Sequence, residues 1–223
     1  MTDLAPQNLP PLPFTAEDFR RRAAPHLTFD EAELALRTPL GDHVLNPGLA
    51  RHAAPRDAAV LIPVVDRSPE AGIILTLRTA DLKSHAGQVA FPGGKMDAED
   101  PHPVATALRE AEEEIGLDRG FVEPVGCFTP YVTNSGYRIV PVIGLVRPGF
   151  RLVPNPGEVA DVFEVPLSFL MTGVNHVLQS RQWQGTTRYF YEMPWEGRYI
   201  WGVTAGILRQ VYEHVYGAAA EIP

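Results

Sequence analysis

Three glutamates, Glu110, Glu113 and Glu114, stand at positions i, i+3 and i+4 of one segment. If that segment is helical, their carboxylates leave it from neighbouring points on one side. Like charges at that spacing destabilise a helix unless something neutralises them. Arg109 can reach Glu112 or Glu113, yet one guanidinium does not balance the set. A glutamate run taken alone reads as a solvated acidic face. The text upstream changes that reading. Gly93-Gly94 follows an apolar stretch and precedes the glutamates across a short acidic loop. A glycine turn lets backbone groups approach a ligand or ion closely. Clustered carboxylates beside it form a hard-oxygen site suited to Mg²⁺ or Mn²⁺. Phosphoanhydride cleavage needs such ions, which cancel the charge of the diphosphate, lower the pKa of bound water and stabilise the leaving phosphate.

The elements that must position these groups follow from periodicity. Val104, Leu108, Ala111 and Ile115 recur at i, i+4, i+7 and i+11 and predict a helix over 104–116. Asp100 is placed to cap it, Pro101 and Pro103 sit where a helix start tolerates them, and Gly116 can end it. AAVLIPVV (58–65) and IILTLR (73–78) read as strands joined in a hairpin-like way, with a further short strand around 89–91. More strand-like runs follow at 121–128, 138–146 and 158–165, then alternating aromatic text over 174–201. Ile207, Val211 and Val215 place a C-terminal helix over about 203–216. Residues 1–57 read as an N-terminal extension, with a helix over 16–24 capped by Thr15 and a loop-rich run from 38 to 57. The domain proper is 58–223. Strands outnumber crossover helices too heavily for a doubly wound parallel sheet, so the fold class is a layered, mixed α/β fold.

Bulk properties narrow the function. Hydrophobic content of 45% and charged content of 21% are ordinary for a soluble globular protein. No apolar run approaches the ~20 residues that span a bilayer, and the N-terminus lacks a basic-then-apolar signal layout, so neither a membrane segment nor secretion is expected. A lone cysteine, Cys127, in an apolar segment reads as a small buried side chain and fits a reducing cytoplasm. A net charge of −8 argues against a nucleic-acid-coating protein. It does not exclude an anionic small molecule, because bound cations and a few local basic residues invert the field at a site. Zinc-type Cys/His spacing, a nucleophile elbow and a P-loop are all missing from the sequence.

The run from Gly94 through KMDAED to Arg109, Glu110, Ala111, Glu112, Glu113, Glu114, Ile115, Gly116 and Leu117 resembles the Nudix box. The second half of that signature, Arg-Glu-apolar-x-Glu-Glu-x-Gly-apolar, is matched at every fixed position. The first half departs from it. Asp100 stands where glutamate is usual, and eight residues rather than seven separate it from Arg109. A second stretch is similar to the additional motif of the coenzyme A pyrophosphatase branch: Leu75-Thr76-Leu77-Arg78, Lys83, then Gly87-Gln88-Val89-Ala90-Phe91-Pro92-Gly93-Gly94. Lys83 replaces the usual arginine, which keeps the charge and loses the bidentate fork.

The resemblance implies a Nudix-type α/β/α sandwich with a mixed sheet. It implies Mg²⁺- or Mn²⁺-dependent hydrolysis of coenzyme A and its derivatives to 3′,5′-ADP and 4′-phosphopantetheine. Glu113 and Glu114 would be principal metal ligands, Glu110 a ligand or the group acting on the attacking water, and Arg109 the residue holding the glutamates. The carbonyl of Gly94 would complete the metal shell, and Glu158, with Asp161 behind it, is the candidate carboxylate from outside the box. For the substrate, Arg78, Lys83, His85, Lys95 and Arg138 are the cations nearest in sequence, with Lys95 favoured. Phe91 and Tyr137 are candidates for stacking on adenine, whereas Trp195, Trp201 and Tyr199 read as packing. The alternatives are ADP-ribose or another nucleoside diphosphate derivative as substrate, or a non-catalytic ligand sensor.

Overall fold

The computed structural model describes residues 14–48, 54–82, 85–183 and 185–217. The chain opens with α1 (Ala16–Ala23), where the Thr15 side chain accepts from the amide of Asp18, the cap expected from the sequence. A short α2 (Glu31–Leu36) follows, capped by Asp30, whose side chain accepts from the amides of Ala32 and Glu33. Only Leu34 of α2 is buried, so it carries no apolar stripe by which periodicity could detect it. The run from 38 to 57 is less irregular than its prolines suggest. It holds β1 (Leu40–Gly41), α3 (Asp42–Leu45) and the start of β2 (Arg56–Val65).

The central strands are β2, β3 (Gly72–Arg78), β4 (Val89–Ala90) and β5 (Gly93–Lys95). Next come α4 (Pro103–Ile115), β6 (Val122–Cys127), β7 (Tyr131–Val132), β8 (Tyr137–Val146) and β9 (Val159–Pro166). After the single turn of α5 (Leu167–Leu170), β10 (Val177–Trp183), β11 (Thr186–Trp195) and β12 (Arg198–Trp201) form a separate antiparallel sheet, and α6 (Gly202–Val215) ends the described fold. No helix among the described residues is long and apolar enough to cross a membrane.

The large sheet has nine strands and is mixed. β2 runs parallel to β8 along its whole length, from Arg56 opposite Tyr137 to Val65 opposite Val146. Its other edge is shared. Ala58, Ala59 and Val60 pair with β5, and Val64 and Val65 pair with the start of β3. The hairpin expected between residues 58 and 78 is therefore only two residue pairs long. β3 diverges from β2 and pairs instead with β9 from Gly72 to Arg78. That divergence lets the Gly93–Lys95 strand enter beside β2.

Strand alternation sends side chains to two separate cores. Ala59, Leu61 and Val65 of β2, with Ile74, Val140 and Val142, meet Ala107, Ala111 and Ile115 of α4. Ile62, Val64, Ile73, Leu75 and Ile143 face the other way, toward Ile207, Leu208 and Val211 of α6 and Phe19 of α1. The result is the α/β/α arrangement expected from the sequence. Burial of a side chain such as Ile115, which is fully buried, contributes ~1.5–3 kcal/mol, and several such contacts lock α4 to the sheet. Cys127 is buried as expected, and burial pushes its thiol up to about 11, far from the reactive range.

Candidate active site

Both ends of α4 are fixed to the loops that frame the glutamates. At its N-terminus the cap is His102, whose Nδ1 accepts from the amide of Ala105 at 3.1 Å, and not Asp100. Asp100 lies two residues further out and does different work. Its Oδ2 accepts from the Thr106 hydroxyl at 2.9 Å and from Arg109 at 2.8 Å, while Oδ1 accepts from Arg109 Nε at 3.2 Å. This fork holds the Asp100 carboxyl well below the usual carboxylate range and the guanidinium above its own. The departure from the glutamate pattern at Asp100 thus has a structural account: the shorter side chain anchors Arg109. At the other end Gly116 takes a left-handed conformation (φ 65°) and closes the helix. The following loop finishes the cap, since Val153 and Asn155 donate to the carbonyls of Ile115 and Glu114 at 2.8 and 2.9 Å. The same loop carries Glu158, so capping the helix delivers a fourth glutamate to its face.

The glutamates sit in unequal environments. Glu114 is 2% exposed, with Oε2 accepting from the Gly93 amide at 3.1 Å and Oε1 from Arg78 at 3.3 Å. Burial dominates over those two partners, and the charges of Glu110 and Glu158 add to it, so its pKa is raised to about 7. Glu110 is raised as well, chiefly by burial, opposed by its 2.9 Å bond from Arg109 and reinforced by Glu113 and Glu158. Glu113 faces outward, 58% exposed, with Arg109 at 3.1 Å. Gly94 lies directly against Glu110. A Cβ at that position would fall 2.5 Å from the carboxylate carbon, so glycine is what lets the strand pass there.

Among the described residues no three His, Cys, Asp or Glu side chains form a ready-made metal cage, because each carboxylate is turned to a protein donor. The chemistry of the donor set nevertheless fits a hard divalent cation. Glu110, Glu114 and Glu158 are oxygen donors; the charge of Glu158 adds to burial in raising the proton affinity of both Glu110 and Glu114, and a cation would relieve that repulsion.

Beside this cluster opens a cavity of about 650 Å³. One wall is Arg78, Gly93, Gly94 and Lys95, next to the glutamates, and the floor includes Phe91 and Ile207. The three-stranded sheet contributes Arg181, Trp183, Arg188, Phe190 and Trp201 to the same lining. A segment preceding the core strands pins that sheet in place. The Asn46 side chain donates to the Tyr189 carbonyl at 2.9 Å and accepts from its amide at 2.8 Å, an amide standing in for a neighbouring strand. Asp42 supports the same corner, accepting from the Tyr131 hydroxyl and the Asn134 amide.

The model of the NUDIX domain matches residues 55–194, more than half of the chain. The chain belongs to the Nudix hydrolase family. An uncharacterized Nudix hydrolase, NudL, from Photorhabdus laumondii is 44% identical over 162 residues, covering 72% of this chain and 85% of the relative. Its namesake from Yersinia pestis is 41% identical over 181 residues, covering 81% of this chain and 90% of the relative. Among solved structures, a Nudix hydrolase from M. Smegmatis, RenU, superposes with a TM-score of 0.50 at 20% identity, covering 78% of this chain and 91% of that one, a likeness of fold alone.

Seen as a Nudix box, the segment brings Arg109, Glu110, Glu114 and Gly94 to one place, and Glu158 joins them from outside. Asp161 does not; it pairs with Arg198 at 2.8 Å. Arg78, Lys95 and Phe91 line the cavity, while Lys83 lies outside the described residues. His85 and Tyr137 also line it. Arg138 does not, being held by Asp57 at 3.3 Å and the Leu34 carbonyl. Trp195 packs on Phe169 as expected, with ring centroids 4.6 Å apart. Trp201 instead faces the cavity, and Tyr199 is 41% exposed, so neither is simple core packing. Sequence reasoning missed Arg181, Trp183, Arg188 and Phe190. Their one signal was the alternating aromatic and basic text of 181–190, which placed a strand without saying which face it would present.

Proposed function

We propose that this protein hydrolyses the diphosphate bond of coenzyme A and its thioester derivatives, with Mg²⁺ or Mn²⁺, giving 3′,5′-ADP and 4′-phosphopantetheine or its acyl form. The observation that carries the reading is the lining of the cavity. It combines Arg78 and Gly94, beside the buried glutamates, with arginines and aromatic side chains of the three-stranded sheet, which suits a ligand joining a diphosphate to a nucleotide. The similarity of residues 75–94 to the coenzyme A motif supports it, since that stretch supplies Arg78, Phe91 and the two glycines.

Glu110, Glu113, Glu114 and Glu158, with the Gly94 carbonyl, would hold the divalent cation, which supplies charge neutralisation at the diphosphate. Arg109 fixes the direction of Glu110 and Glu113 through the fork to Asp100. Glu110 is our candidate base, because burial raises its affinity for a proton while its carboxylate borders Gly94. It takes a proton from a water as the water oxygen bonds to one phosphorus. The bridging P–O bond breaks, and its electron pair leaves with the other phosphate. Arg78 and Lys95, which line the cavity, would bind the diphosphate oxygens.

Mass identification of products tests this directly. Purified protein is incubated with coenzyme A and separately with ADP-ribose, each with and without Mg²⁺ or Mn²⁺. Metal-dependent 3′,5′-ADP from coenzyme A, with little turnover of ADP-ribose, is the expected result. Turnover of ADP-ribose alone would keep the chemistry and discard the substrate, and no turnover of either would favour a ligand sensor.

A further inference from the structure

The three-stranded sheet beside the cavity carries a charge arrangement that folding alone disfavours. Arg181 of β10 and Arg188 of β11 are direct cross-strand partners, so both side chains leave the same face of the sheet. Like charges directly opposite one another destabilise a strand pair. Glu192, further along that face, accepts from the neutral Gln179 and Tyr199 side chains and forms an ion pair with neither arginine among the described residues. Arg188 Nε is buried and has no hydrogen-bond partner among the described residues, and a buried donor left unmet is destabilising. Both arginines line the cavity. Phe190 lies two residues along the same face from Arg188, and Trp183 two from Arg181. Trp201 meets Phe190 edge to face at 5.6 Å.

These observations describe a pair of arginines with no ion-pair partner among the described residues, flanked by aromatic side chains and lining the same cavity as Arg78 and Gly94. We propose that Arg181 and Arg188 form a subsite for a phosphomonoester of the substrate, distinct from the diphosphate, with Trp183 and Phe190 as the flanking surfaces for the base of the same nucleotide. Two guanidinium forks at one register position suit the three oxygens of a terminal phosphate, and rings beside them suit a nucleobase. The identity of that phosphate as the 3′-phosphate of coenzyme A rests on the function proposed above; the existence of the subsite does not.

Calorimetric titration of the full chain with adenosine 3′,5′-bisphosphate and with 5′-AMP, in Mg²⁺, separates the two. The wild-type protein should bind the bisphosphate about tenfold more tightly than AMP. Arg188→Gln and Arg181→Gln should each bring the two affinities to within about twofold while leaving that for AMP unchanged. Equal wild-type affinities, or variants that weaken both nucleotides in parallel, would overturn the subsite. Thermal melts of the variants should stay at or above the wild type, because a like-charge pair is removed. Coenzyme A turnover measured alongside keeps the two ideas apart. A bisphosphate preference without coenzyme A hydrolysis would sink the proposed substrate and leave the subsite standing. Hydrolysis with equal affinities would do the reverse.

Discussion

The glutamate cluster stands behind Arg78 and Gly94, which line the cavity together with the arginine wall, and the glutamates and that wall are held by different means. Glu110 and Glu114 project from a thirteen-residue helix whose other face is locked into the core by Ala107, Ala111 and Ile115. Charged hydrogen bonds hold both: Asp100 anchors Arg109, which holds Glu110, and Gly93 and Arg78 donate to Glu114. The arginine wall stands on a three-stranded antiparallel sheet whose outer strand, β10, is exposed at every residue. It is anchored through the buried Met193 and Ile200 on its back face and through Asn46 at its edge. A reacting bond tolerates little misplacement, whereas recognition of a phosphate tolerates adjustment. The better supported wall is the one where chemistry would occur.

Breaking the glutamate wall should give the largest effects. Glu114→Gln should lower kcat about 10³-fold while the fold persists, since the amide oxygen can still accept from Gly93. The same variant sharpens a pH effect in metal-free protein. The folded-state pKa of Glu114, about 7, lies above the ordinary 4.5, so the native state holds that proton more tightly than the unfolded chain. This contribution to stability is present at low pH and is lost as pH rises from about 4.5 to about 7. It amounts to on the order of 3 kcal/mol. Chemical denaturation with chelator present should show that slope in the wild type and its absence in Glu114→Gln.

Gly94→Ala is next. Its Cβ would meet the end of the Glu110 side chain, which can move aside. The melting temperature should therefore change little, and kcat should fall about 10²-fold because the carboxylate is displaced. Asp100→Asn loosens Arg109 without touching a glutamate and should cost about tenfold in kcat/KM, read by steady-state kinetics. Asn46→Ala is the smallest and acts on the other wall. Loss of two hydrogen bonds to Tyr189 should cost about 1 kcal/mol each in stability and raise KM a few-fold with kcat unchanged. A fall in kcat instead would mean that the two walls are not separable.

Legibility in sequence divides along the same line. The glutamates, Gly94, Arg109 and the helix between them fall within residues 94–116, where spacing alone fixes which groups share a face. Glu158 was a candidate only through the family resemblance, since the bonds by which its loop closes the helix are not written in the spacing. The local roles at the helix start were less legible: Asp100 is a capping type and His102 is not, yet His102 caps while the position of Arg109 makes Asp100 its anchor. The arginine wall was hidden for a different reason. Nearness in sequence suggested Arg138, which Asp57 holds, whereas Arg188 reaches the site through sheet register and a clamp from Asn46, 143 residues from its partner. The short α2 and the β1–α3 corner also escaped notice, since little of either is apolar enough to show a period.

The central claim is that water, directed by the glutamate wall, attacks the diphosphate. Turnover of coenzyme A in ¹⁸O-water with Mn²⁺, followed by mass spectrometry of both products, tests it most directly. The account predicts one ¹⁸O on the terminal phosphate of either 3′,5′-ADP or 4′-phosphopantetheine, and no labelled product from Glu114→Gln. Cleavage elsewhere in the molecule, or unchanged labelling by the variant, would contradict it.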